Sequence, residues 1–221
     1  MIFVKPIMYE FEPIKIANVI ENGDINIEVV RFIALYERQC LDLIFGKCLA
    51  KELVESFEFD PLLIDYKLKA SATTLIKNLV NGLEYVSTNS QGFNFGFGFD
   101  FGFYGCGCGC NDSTCDKRKW NGLIEKVEYN NGAGLATFEK SFLADYIYYE
   151  YQLANRTITA GTGQQVLSGE NSMTVQNCSK RVEAYNSFVL GVMKIYAFLE
   201  DNKADYPTWE RNCNICFKEK W

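Results

Sequence analysis

The chain has 221 residues, 48% hydrophobic and 23% charged, which suits one globular domain with a sizeable core; its apolar runs fall short of the roughly 20 residues that span a bilayer. A net charge of -6 argues against nucleic-acid binding by phosphate neutralisation, and the tight basic cluster Lys117-Arg118-Lys119 reads as a solvated turn. The chain contains no histidine, so most familiar catalytic triads and a leading metal ligand are excluded.

Lys5 and Pro6 interrupt the N-terminus where a secretory signal would be continuously apolar, so a protein made and retained in the cytoplasm is expected. Residues 1–26, with Pro6, Pro13 and Asn22-Gly23-Asp24, read as an extended arm with a turn, laid across the body. From about Asn26 to Phe57 the residues Val30, Ile33, Leu41, Ile44, Cys48 and Leu49 recur mostly at helical spacing, with Gly46 a candidate break. Arg31, Glu37, Arg38, Asp42, Lys47 and Lys51 take the solvated side. Asp60-Pro61 marks a boundary, after which Leu62–Leu83 predicts a core helix carrying Leu68, Ala72, Leu75, Ile76, Leu79 and Leu83 on one stripe.

Next comes GFNFGFGFDFGFYGCGCGCNDSTC, residues 92–115. As a strand it would place Phe93, Phe95, Phe97, Phe99, Phe101 and Phe103 on one face, an aromatic patch that requires cover by a partner. Its glycine content equally suits a mobile low-complexity insertion, so a β-hairpin and a flexible loop both stand. Base stacking on the rings is disfavoured by the acidic charge.

A strong helical period runs from about Gly134 to Asn155 through Leu135, Phe138, Phe142, Tyr146, Tyr149 and Leu153. Another runs from Asn177 or Ser179 to about Asn202 through Val182, Tyr185, Val189, Val192, Tyr196 and Leu199. Each stripe needs burial and the simplest partner is the other, giving two long antiparallel C-terminal helices in a mainly α helical bundle. The polar connection, residues 156–177, is either a surface loop or an arm that orders on a neighbouring subunit. The whole is read as one domain, 1–221.

Cys106, Cys108, Cys110 and Cys115, with the CxxC of Cys213 and Cys216, form two clusters in a chain of nine cysteines. Structural zinc is the sharper reading; the alternative is free thiols in a loop and a tail, since CxCxC is not a common zinc-ribbon spacing. Cys40, Cys48 and Cys178 read as small core hydrophobes. No GxxxxGK[ST] loop and no distinguished acid pair occurs, so catalysis and organic cofactors are not expected.

Three stretches in order carry a resemblance: LDLIFGKCLAKEL (Leu41–Leu53); Trp120-Asn121-Gly122-Leu123 followed by the tyrosine-rich Phe142–Tyr151; and Glu170-Asn171-Ser172 followed by Phe198–Asn202 and Asp205-Tyr206-Pro207-Thr208-Trp209. This order resembles the head-to-tail connector, or adaptor, proteins of tailed phages infecting Bacteroidetes, the crAss-like phages included. It spans roughly residues 27–210, apart from the Phe/Gly/Cys insertion, which departs from the pattern.

The resemblance implies a virion protein at the head-tail junction, a homo-oligomeric ring, usually twelvefold, between portal and tail. DNA would pass through its centre without sequence-specific binding, and no membrane partner is implied; separately, the chain's acidic charge suits a lumen that repels phosphates, if that charge faces the channel. The rival reading is a zinc-stabilised interaction module built on the cysteine-rich insertion. Interface residues are expected in the phenylalanine run, in Thr159, Thr162, Gln165, Val166, Asn171 and Thr174 of the polar connection, and at Tyr206 and Trp209.

Overall fold

The computed structural model describes residues 2–10, 14–16, 19–21, 24–62, 65–86, 117–130, 135–154, 157–160, 163–166 and 178–218. The N-terminal arm passes through a 3-10 turn at Pro6–Glu10 and a short antiparallel pair, β1 (Ile20–Glu21) and β2 (Asp24–Ile25). It does lie across the body, burying Phe3, Val4, Met8, Tyr9, Ile14, Ile16 and Val19.

The first helix, α1 (Ile27–Glu55), starts where the Asn26 side chain accepts the Glu28 N–H at 2.9 Å, satisfying a donor that the first turn leaves open. Gly46 sits at φ 72, ψ 162 and breaks the helix into two arms, as the sequence suggested. Ile33, Leu41, Ile44, Leu49 and Leu53 are buried, but Cys48 is exposed, because the kink turns its position outward. Glu37 departs from the expected solvated face and is 6% exposed, for reasons given below.

The expected helix over Leu62–Leu83 forms only in its second half. Its first half is β4 (Asp65–Leu68), paired antiparallel with β3 (Phe57–Asp60), and helix α2 is confined to Thr74–Asn81. Leu68 and Ala72 therefore leave the helical stripe. The physical reason is local: Thr73 Oγ1 accepts the Ile76 N–H at 3.3 Å and caps a new helix, while Phe57–Asp60 offers a ladder to the residues before it.

After α2, β5 (Leu83–Val86) pairs antiparallel with β6 (Lys117–Trp120), so the basic cluster stands on a strand and not in a turn. Two chain segments cross at Gly82 (φ 87) and Gly122 (φ 92). A Cβ on Gly82 would lie 2.2 Å from the Trp120 carbonyl oxygen, and one on Gly122 2.3 Å from that of Val80. Leu123 N–H donates to Val80 O at 3.0 Å and the Trp120 indole N–H to Leu79 O at 2.8 Å, tying down the end of α2.

The expected helix from Gly134 is also shortened. Residues Glu125–Asn130 (β7) and Leu135–Lys140 (β8) form an antiparallel hairpin, and α3 runs from Phe142 to Ala154. Leu135 and Phe138 thus belong to a strand. Ser141 makes the switch: its hydroxyl accepts the Leu143 N–H at 3.3 Å and donates to Leu123 O at 2.8 Å, so the helix starts there.

A further antiparallel pair, β9 (Thr157–Ala160) and β10 (Gly163–Val166), separates α3 from α4 (Cys178–Asp201). Tyr149 meets Tyr185 with ring centroids at 4.8 Å, while Phe142, at the other end of α3, meets Phe188 and lies against Gly191. The two helices are therefore antiparallel, as expected, although only α4 is long. A Cβ on Gly191 would sit 2.3 Å from Phe142 Cγ, so the missing side chain makes the ring's seat. Among the described residues the architecture is helix-rich, with α1 and α4 flanking α3 and five separate two-stranded ladders around them. No helix of the described residues is long and apolar enough to cross a membrane.

Candidate assembly surfaces

The C-terminal segment after α4, residues 202–218, forms a strap. Two of its anchors follow from the Gly46 kink, since a broken helix leaves carbonyls of the preceding turn in need of donors. The Trp209 indole N–H donates to Ile44 O at 3.2 Å and the Asn212 amide to Leu43 O at 3.1 Å. Tyr206 O–H donates to Leu75 O at 2.8 Å. Tyr206 and Trp209 are 4% and 2% exposed within their own chain, which corrects the expectation that a neighbouring subunit buries them. The aromatic end of the sequence completes the core because kinked α1 offers it both an apolar seat and free carbonyls.

Further on, the Asn186 side chain exchanges two hydrogen bonds with the Lys218 backbone, at 3.0 and 2.9 Å, standing in for a strand partner. The Lys218 ammonium lies 4.0 Å and 4.1 Å from the ring centroids of Tyr149 and Tyr185 and donates to the Tyr149 hydroxyl. Between these anchors the strap and α4 enclose a groove of about 210 Å³ lined by Val189, Val192, Met193 and Ile215, with Tyr196 and Arg211 at its side. The Tyr196 hydroxyl is buried and lies close to the Asn212 backbone without closing a hydrogen bond to any described residue. Arg211 lies over the Tyr196 ring and pairs with Glu200 at 3.0 Å.

Opposite in character is the β3–β4 hairpin. Phe59 is 53% and Tyr66 41% exposed, their rings in edge contact at 5.6 Å, and Leu62 is 91% exposed at the turn. Asp60 Oδ1 accepts the Leu62 N–H at 2.9 Å, an Asx turn that holds the tip in shape. Lys67 bridges Glu58 and Asp60. These three apolar residues were not singled out from the sequence. The signal was the period-two pattern of Phe57-Glu58-Phe59-Asp60 and Asp65-Tyr66-Lys67-Leu68 about an Asp-Pro turn, overridden by a longer helical count.

Two buried carboxylates fix the rest. Glu37 accepts the backbone N–H groups of Ile2, Phe3 and Val4 at 3.0, 2.6 and 2.9 Å, so the arm supplies donors that make its burial tolerable. Lys5 adds ion pairs to Asp65 at 2.7 Å and Glu139 at 3.0 Å. Burial opposes both charges of the Lys5–Asp65 pair, yet their mutual hydrogen bond holds Lys5 above its usual pKa and Asp65 below the usual carboxylate range. Asp145 of α3, 1% exposed, accepts a 2.7 Å hydrogen bond from Ser187 of α4. Burial pushes its pKa up to about 6, with the Ser187 bond and Lys140 pulling the other way.

Of the residues expected at interfaces, Thr159, Gln165 and Val166 lie in the β9–β10 ladder. Thr162, Asn171 and Thr174 lie outside the described residues, as do Phe93, Phe95, Phe97, Phe99, Phe101 and Phe103. The 30 residues that hold the phenylalanine run, 87–116, lie between Val86 and its ladder partner Lys117, so the two described residues that flank the run are side by side. For the expected zinc ligands, Cys106, Cys108, Cys110 and Cys115 are outside the described residues, and Cys213 and Cys216 are exposed free thiols on the strap. Among the described residues no three cysteine, aspartate or glutamate side chains gather as a metal site.

No protein-family model, curated protein or solved structure matches this chain.

Proposed function

We propose that the protein is a structural virion subunit, a connector that assembles as a ring between the portal and the tail of a tailed phage. The observation that carries this reading is the division between a closed body and an uncovered hairpin tip. Arm, kinked α1, α3, α4 and strap bury one another, while Phe59, Leu62 and Tyr66 stand out on a two-stranded hairpin. Apolar side chains left exposed at the end of a hairpin are prone to association, and a repeating neighbour gives them cover. The β9–β10 hairpin lies between α3 and α4, in the segment expected to act as an arm. The net charge of -6 suits a lumen through which DNA slides without adhering.

The test is mass and symmetry of the purified chain, alone and with its portal, by native mass spectrometry and electron microscopy. A closed ring, dodecameric by the resemblance, is the expected result. Persistent monomers with portal present would overturn the reading.

A further inference from the structure

Resting on the ring reading, we infer that the β3–β4 tip of one copy docks into the α4–strap groove of the next, making a head-to-tail interface. The two features belong to separate elements and share no residue, so a single copy can use both at once. A contact between two different patches of identical chains propagates, and closes into a ring when its rotation divides a full turn.

Their chemistry is complementary. The tip presents Phe59, Leu62 and Tyr66, with the carboxylates of Glu58, Asp60 and Asp65 on the opposite face of the ladder and beside the turn. The groove presents apolar walls from Val189, Val192, Met193 and Ile215, with a cation toward either end: Arg211 beside Tyr196, and Lys218 over Tyr185, one helical turn before Val189. The Arg211 charge is shared with Glu200, and Lys67 and Lys5 partly offset the tip's acids, so attraction is steering and the apolar contact supplies affinity. The Tyr196 ring, on a side chain only 3% exposed, closes one side of the groove.

The experiment uses the full chain with Leu62→Asp on the tip, Met193→Glu in the groove, and analytical ultracentrifugation. Each variant alone is expected to weaken association on the order of 30-fold or more, the mark of a central apolar anchor. Mixed one to one they retain a single intact tip-groove pair, so dimers and nothing larger are expected. If Met193→Glu lowers the melting temperature, Arg211→Glu at the exposed rim replaces it. Rings formed by the variants as readily as by wild type, or a mixture of folded variants that stays monomeric, would overturn this interface and leave the ring reading standing. Wild-type monomers that persist with portal present would remove both.

Discussion

Replacing Asp145 with asparagine is expected to stabilise the protein at neutral pH and to flatten its dependence on pH. The carboxyl has a folded pKa of about 6 against an ordinary 3.8, because burial between α3 and α4 disfavours the charge and one serine hydroxyl only partly compensates. A raised pKa means the stabilising contribution is fully present below pH 3.8 and is lost as pH rises through about 6. At about 1.4 kcal/mol per unit the loss approaches about 3 kcal/mol at pH 7 as an upper bound. For a chain of this size that is a melting-temperature difference of roughly 5–10 °C. Asparagine keeps an oxygen to accept from Ser187 and carries no charge. Thermal unfolding followed by circular dichroism between pH 4 and 8 should show wild type gaining stability as pH falls through 6, and Asp145→Asn changing much less. Glu150, half-buried and raised by burial in the same direction, leaves a residual slope in the variant. Asp65, whose pKa is lowered, acts only below the ordinary carboxylate range and does not enter this window. Parallel profiles for the two proteins, or wild-type stability that falls from pH 7 to 5, would refute the account of Asp145.

Three further outcomes separate the roles of glycine, strap and clamp. Gly82→Ala should cost about 3 kcal/mol or more in urea unfolding, because positive φ and a 2.2 Å approach to a backbone oxygen combine, whereas Gly46→Ala, with nothing within 4 Å of its Cβ, should cost only about 1–2 kcal/mol. Equal penalties would show that the crossing of Gly82 with Gly122 is not tight. Trp209→Phe keeps the packing but bares the Ile44 carbonyl, and a loss of about 1–3 kcal/mol is expected by the same assay; an unchanged midpoint would mean that carbonyl is satisfied otherwise. Lys218→Ala should raise amide exchange across 212–218 while leaving the global melting temperature within a degree or two, and unaltered exchange would count against the tyrosine clamp.

The parts of the fold legible in the sequence are those whose burial is decided by one continuous period. The ends of α1 and α4 fall within a residue or two of expectation because each carries a long apolar stripe, an Asn26 cap for α1 and a polar exit for α4. Gly46 could be read as a break because few other roles suit a glycine inside such a stripe. The misread stretches, Leu62–Leu83 and Gly134–Asn155, have apolar residues that fit both the helical and the strand period over a few positions. There the outcome depends on Thr73 and Ser141 as caps and on the preceding segments, Phe57–Asp60 and Glu125–Asn130, offering a strand partner across a short turn. The interface reading fared unevenly for a similar reason: Trp209 and Tyr206 look like anchors in one dimension, and whether the anchor is for self or neighbour depends on where α1 kinks and where α2 begins, which place the Ile44 and Leu75 carbonyls.

By itself, then, the sequence determined composition-level properties and periodicity: a helix-rich chain, an acidic charge, a missing histidine, a phenylalanine and cysteine run, and two long amphipathic segments. Tertiary structure alone decided which acids are buried, because Glu37 and Asp145 look like any surface carboxylate until backbone N–H groups and Ser187 converge on them. It also decided that the strap closes the core and that the Phe59–Tyr66 tip stays outside, since burial is a property of what packs against a residue and is carried by contacts far apart in the chain.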